Sequence, residues 1–133
     1  MKVLFVCRAN VGRSQAAAAI YNQMFPRQAA SAGTLVDVPG EQLKDRPLAK
    51  GIIDAMKEHG IDISSNVRTQ LTEEMLDAFD KIVVMAEPET IPSWLSANPK
   101  TIIWTIPDPK GKSLEETRDI VKDIKARVEQ ISI

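Results

Sequence analysis

Cys7 and Arg13 lie near the start of a 133-residue chain with five residues between them, in the run Cys7-Arg8-Ala9-Asn10-Val11-Gly12-Arg13-Ser14. A thiol at one end of a short loop and a guanidinium at the other can attack and hold a tetrahedral oxyanion. Asn10 and Gly12 are the residue types that best tolerate left-handed backbone. A loop curled that way turns consecutive N–H groups inward and forms an anion nest. A helix beginning at its end adds unpaired N–H groups and the positive end of its dipole. The same field stabilises a thiolate, so the Cys7 thiol is expected to ionise easily and act as a nucleophile. On this reading the backbone N–H groups of Arg8, Ala9, Asn10, Val11 and Gly12 hold the equatorial oxygens of a bound dianion. Arg13 grips two oxygens with its fork of donors, and the Cys7 sulfur lies in line behind phosphorus. Ser14 is placed to donate its hydroxyl to the thiolate, or simply to cap the helix. A leaving alkoxide or phenoxide needs a proton. The candidate acid is Asp108, in a loop stiffened by Pro107 and Pro109; Asp-Pro is also a common turn pair.

These side chains must be positioned by the elements around them. Val3 to Val6 is a fully apolar run that suits a strand buried on both faces. Ala16/Ala17, Ile20/Tyr21 and Met24/Phe25 recur at helical spacing, with Pro26 as the stop. Ala29 to Ala32 reads as a second strand closed by Gly33. Leu35 to Arg46 is a loop expected to form one wall of a pocket. Pro47 opens a helix whose face carries Leu48, Ile52, Ala55/Met56 and His59, ended by Gly60. His59 fits a dipole-favourable C-terminal position better than a catalytic one. Thr72 is expected to cap a short helix, followed by a strand over Lys81–Met85, a turn at Glu87-Pro88-Glu89, a short helix over Ile91–Leu95 and a strand over Thr101–Trp104. Ser113 and Glu116 form a capping box for the last helix, with a stripe of Ile120/Val121, Ile124, Val128 and Ile131. Strands alternating with helices predict an α/β fold: a central four-stranded parallel sheet flanked by helices on both faces, with the phosphate-binding loop after the first strand. Ligands bind such sheets at the carboxyl ends of the strands, the edge that both Cys7 and Asp108 follow. The whole chain, 1–133, reads as a single domain.

Composition narrows the possibilities. Hydrophobic residues make up 44% and charged residues 26%, an ordinary soluble balance. No apolar run approaches the roughly 20 residues of a membrane helix. The first residues do not form a signal-peptide pattern, so a cytoplasmic protein with no membrane partner is expected. A net charge of −1 argues against nucleic-acid binding. Residues 1–36 nevertheless hold Lys2, Arg8, Arg13 and Arg27 and no acid, so the loop segment is locally positive. The single cysteine excludes an internal disulfide and fits a reducing compartment.

Taken together, these residues make the chain similar to the low-molecular-weight protein tyrosine phosphatase family, which includes thioredoxin-coupled arsenate reductases and bacterial protein-arginine phosphatases. The resemblance runs through Cys7–Ser14, Ser31-Ala32-Gly33-Thr34, His59-Gly60-Ile61, Gln70-Leu71-Thr72, Phe79–Met85 and Asp108-Pro109, in family order. It implies Cys7 as nucleophile through a phospho-cysteine intermediate, Arg13 as phosphate clamp and Asp108 as acid then base. It implies that Asn10, Ser14 and Ser31 shape the loop by hydrogen bonds, and that Asn66 stands where many members carry a supporting histidine. Gly12 replaces the second cysteine that many family phosphatases carry, which exposes Cys7 to deeper oxidation. Gln15 is closer to the reductases than to the phosphatases, which usually have proline there. Lys110 replaces a frequent aromatic and points toward acidic or smaller substrates. Val11 stands where arginine phosphatases tend to have threonine. Arg8 adds charge at the rim.

Three readings follow. The leading one is a metal-independent phosphomonoesterase without a cofactor, acting on a phosphorylated protein or a small aryl phosphate, phosphotyrosine above all, and releasing inorganic phosphate. The second is an arsenate reductase that resolves a Cys7–arsenate adduct with an external thiol, because the sequence has no cysteines for an internal relay. The third is a non-catalytic phosphate-binding module, which has no use for Asp108.

Overall fold

The computed structural model describes residues 1–131; positions 132 and 133, the end of the expected domain, lie outside the described residues. Four parallel strands form one sheet in the order β2-β1-β3-β4: β1 (Val3–Cys7), β2 (Ala29–Gly33), β3 (Lys81–Val84) and β4 (Thr101–Ile103). β1 pairs with β2 from Val3↔Ala29 to Cys7↔Gly33 and with β3 from Val3↔Lys81 to Val6↔Val84. Strand order therefore reverses beside β1, and the crevice at the carboxyl ends opens there.

The period of two along β1 decides what each residue faces. Val3, Phe5 and Cys7 point into a core built with α1 (Arg13–Met24), α2 (Lys50–Lys57) and α4 (Leu114–Ile131). Leu4 and Val6 point into a second core closed by Leu71, by Leu76 from the 3-10 turn Glu73–Ala78, and by Leu95 from α3 (Ser93–Ser96). The two faces are thus covered unequally, by three full helices on one side and short turns on the other. Alanines at 16 and 17 have no exposed surface and let α1 lie close on the sheet. Phe5 anchors the larger core, with ring centroids 6.1 Å from Tyr21 and 6.2 Å from Trp104.

Several local expectations are refined. The segment after Thr72 is a 3-10 turn, and the Thr72 side chain makes no capping bond. Pro47–Ala49 is a 3-10 turn that runs into α2, and Leu48 is 56% exposed rather than in the core. The capping box holds: Ser113 N–H donates to Glu116 Oε1 at 3.2 Å and Glu116 N–H to Ser113 Oγ at 3.1 Å. Gly33 ends β2 beneath the loop that follows β1, where a Cβ would stand 2.6 Å from the Arg8 carbonyl oxygen and 2.9 Å from the Asn10 nitrogen. Only glycine fits that approach. Among the described residues no helix is long and apolar enough to cross a membrane.

Candidate active site

β1 ends at Cys7 and α1 begins at Arg13, so the loop between them spans the top of the central strand. Within it Asn10 takes the left-handed conformation at φ 56°. Gly12, expected to share that role, sits at φ −108°, so it is needed for space rather than for conformation. A Cβ on Gly12 would stand 2.8 Å from Pro109 Cγ. The missing side chain is what lets the Asp108 loop lie against the Cys7–Arg13 loop.

Asn10 and Ser14 have no exposed surface and lie beneath the loop, in its scaffold. Asn10 Nδ2 donates to Ser14 Oγ at 2.8 Å and to Ser31 Oγ at 3.0 Å. Asn10 Oδ1 accepts the Thr69 N–H at 2.7 Å. Ser14 Oγ in turn lies 2.9 Å from Cys7 Sγ. Because the Ser14 oxygen already accepts from Asn10, its own proton is free to point at the sulfur. Asn66 is exposed and reaches the loop only indirectly, donating to Gln15 Oε1 at 3.3 Å. Gln15 does the supporting work expected of Asn66: its Nε2 donates to Asn10 Oδ1 at 3.1 Å, to the Asn10 carbonyl at 3.2 Å and to the Val67 carbonyl at 3.0 Å.

Arg13 is 4% exposed. Its Nη1 donates to the carbonyls of Met85 at 2.7 Å and Ile106 at 3.1 Å, and its Nη2 to Glu87 Oε1 at 2.8 Å. Among the described residues the Nε–H has no hydrogen-bond partner. No buried side-chain polar atom among the described residues lacks a partner, so the Nε–H opens on accessible space. Burial alone would lower the Arg13 pKa. The hydrogen bond that Arg13 donates to Glu87 and the charges of Cys7, Glu87 and Asp108 outweigh it and raise the pKa, so the guanidinium stays charged.

Cys7, Arg13 and Asp108 line one cavity of about 490 Å³, together with the loop residues Arg8, Ala9, Val11 and Gly12. Asp108 is 44% exposed on its side chain. Its Oδ1 accepts the Lys110 N–H at 2.9 Å, while its Oδ2 faces Arg13 Nη2 at 3.9 Å. The second oxygen accepts no hydrogen bond among the described residues and is held only by that longer ion pair. Leu35, Asp37 and Arg46 give the cavity the wall expected of the 35–46 loop. Among the described residues no group of His, Cys, Asp or Glu is placed to hold a metal ion.

Sequence reasoning missed Arg68 and Glu87. Arg68 is 2% exposed. Its Nε and Nη2 donate to the Ala9 carbonyl at 3.2 and 3.0 Å, its Nη1 pairs with Glu41 at 2.9 Å, and Nη2 with Asp37 at 2.7 Å. Arg46 closes the cluster on Glu41 at 2.9 Å and Asp37 at 3.1 Å. The hydrogen bond from Arg68 lowers the Asp37 pKa. Burial raises that of Glu41, but the two arginines overcome it and lower the net value. Nothing in the pattern Val67-Arg68-Thr69 marks that arginine. Glu87 sits in a segment that reads as a plain turn.

The arrangement gathers a thiol, a buried guanidinium and a carboxyl on one cavity. A family model, low molecular weight phosphotyrosine protein phosphatase, matches residues 2–132, and the chain belongs to that family of phosphatase-type enzymes. A glutaredoxin arsenate reductase from a Synechocystis strain is 30% identical over 98% of this chain and 95% of its own. The human low molecular weight phosphotyrosine protein phosphatase is 36% identical over 64% of this chain and 54% of its own length. The solved structure of Vibrio vulnificus Wzb in complex with benzylphosphonate superposes with a TM-score of 0.80 at 25% identity, covering 98% of this chain and 95% of that one.

Two outcomes test the geometry. Arg68→Met frees the Ala9 carbonyl and should lower kcat/KM by roughly 10–100-fold through a misplaced loop. Phosphate affinity should fall in parallel, with partial rescue by Arg68→Lys; unchanged phosphate affinity in a folded variant rejects the role. Gly12→Ala should push Pro109 away and slow esters of poor leaving groups by roughly tenfold more than good ones. Equal slowing across leaving groups would mean that the acid loop had not moved.

Proposed function

We propose that this chain is a phosphomonoester hydrolase working through a phospho-cysteine intermediate, with phosphotyrosine or another aryl phosphate as the substrate class. The observation that carries the reading is the meeting of the Cys7 sulfur, the Arg13 guanidinium and the Asp108 carboxyl on one cavity. The loop N–H groups and the open Nε–H of Arg13 hold the phosphoryl oxygens. The Cys7 thiolate attacks phosphorus as the ester P–O bond breaks, and Asp108 gives its proton to the departing oxygen. Asp108, now a carboxylate, takes a proton from water as that water attacks phosphorus. The P–S bond breaks, inorganic phosphate leaves, and the thiolate is restored with the Ser14 hydroxyl beside it. The steps require no metal and no cofactor.

A second reading has a specific observation in its favour. The Synechocystis relative over nearly the full chain is an arsenate reductase, and Gln15 follows the reductase pattern. With one cysteine in the sequence, any such activity here would need an external thiol to resolve a Cys7–arsenate adduct. The third reading, a pure phosphate binder, leaves the position of Asp108 without a purpose.

Hydrolysis of p-nitrophenyl phosphate by folded protein is the expected result. Its absence, together with arsenate consumption on adding glutathione or glutaredoxin, reverses the order of the first two readings. Cys7→Ser should abolish turnover while vanadate still binds; retained turnover rejects Cys7 as nucleophile. Asp108→Asn should slow poor leaving groups by about 10²–10⁴ and good ones far less. A uniform loss would make Asp108 a structural residue.

A further inference from the structure

Six cationic side chains line the cavity: Arg8, Arg13, Arg46, Arg68, Lys110 and Lys112. Three of them are already neutralised. Arg13 pairs with Glu87, while Arg46 and Arg68 share Asp37 and Glu41. The other three are exposed, and among the described residues none of them makes an ion pair. Lys112 lies near enough to Glu116 for its charge to help lower the Glu116 pKa, after the hydrogen bonds from Ser113, without forming an ion pair with it among the described residues. Arg8 stands on the nucleophile loop, and Lys110 and Lys112 stand on the acid loop that lies against it.

With the Arg13 charge already balanced by Glu87, the three cations at the mouth carry one positive charge more than the two negative charges a monoester phosphate dianion brings. The rest of the wall is aliphatic, with Leu35, Leu48 and Ile52, and no aromatic ring lines the cavity. Ring stacking therefore has no partner here, whereas charge does. We infer that the mouth formed by Arg8, Lys110 and Lys112 binds a second anionic group of the substrate. The preferred substrate is then a phosphomonoester that carries a carboxylate or a further phosphate near the ester. This inference rests on the hydrolase reading for its catalytic consequence, but its binding consequence stands apart.

Matched pairs test it: phenyl phosphate against 4-(carboxymethyl)phenyl phosphate, and two phosphotyrosyl peptides that differ only in acidic or neutral flanks. The anionic member should be preferred roughly tenfold in kcat/KM at low ionic strength, with the preference shrinking as salt is added. In Lys110→Gln/Lys112→Gln the ratio should move toward one, a readout that a general loss of activity does not shift. The same ratios measured as binding to the Cys7→Ser protein need no turnover. Preference in the small-molecule pair alone, or in the peptide pair alone, supports the inference and identifies the source of the anion. Equal binding and equal turnover within both pairs overturn it, as does a ratio unchanged in the double lysine variant. Absent turnover with the binding preference intact overturns the hydrolase reading and leaves the second-anion site standing.

Discussion

The side chain of Asn10 binds four partners: the hydroxyls of Ser14 and Ser31, the backbone N–H of Thr69 and the amide of Gln15. Those partners come from α1, from β2 and from the segment leading to β3. The residue also holds left-handed backbone at φ 56°, a conformation that costs a non-glycine residue roughly 1–2 kcal/mol. Strain of that kind persists only where the surroundings over-determine it. Here they do, because a fully buried amide left without partners would cost about as much again. The left-handed turn of the loop at Asn10 is thus held by hydrogen bonds to β2 and to the segment before β3.

Arg13 extends the same logic to the other side of β1. Its donors rest on carbonyls that follow β3 and β4, Met85 and Ile106, and on Glu87. The guanidinium can be in place only when those strands are in register with β1. Cys7 is fixed by the strand itself: alternation sends it to the helical face, next to the first turn of α1 and the Ser14 hydroxyl. One residue of register slip would turn that sulfur to the opposite core. The parallel sheet is therefore the device that brings a residue near the start of the chain and Asp108 into one cavity.

How much of this was readable beforehand depends on the range of the interaction. The strands, α1, the capping box and the Cys7–Arg13–Asp108 set were legible because each depends on local pattern or on the rule that places loops at strand ends. Arg68 and Glu87 were not, because their importance comes from partners 59 and 74 positions away. No local pattern encodes which buried cation will meet which distant carbonyl. Asn66, expected to support the loop, reaches it only through Gln15, whose amide makes the contacts with Asn10. The functions of Asn10 and Gly12 also separated only in three dimensions, one set by φ and the other by the distance to Pro109.

Gly12 joins the loop geometry to the chemistry of the lone thiol. A cysteine there, as in many relatives of this family, could trap an oxidised Cys7 as a disulfide and spare it further oxidation. In this chain a Cβ at that position would collide with Pro109. The two benefits are therefore exclusive here: a protecting partner for the thiol, or an acid loop seated directly against the nucleophile loop. That seating also brings Lys110 and Lys112 to the same mouth as Arg8. The missing side chain at position 12 thus removes the place for a partner thiol and leaves room for the loop that carries Lys110 and Lys112, with Cys7 the one cysteine of the sequence.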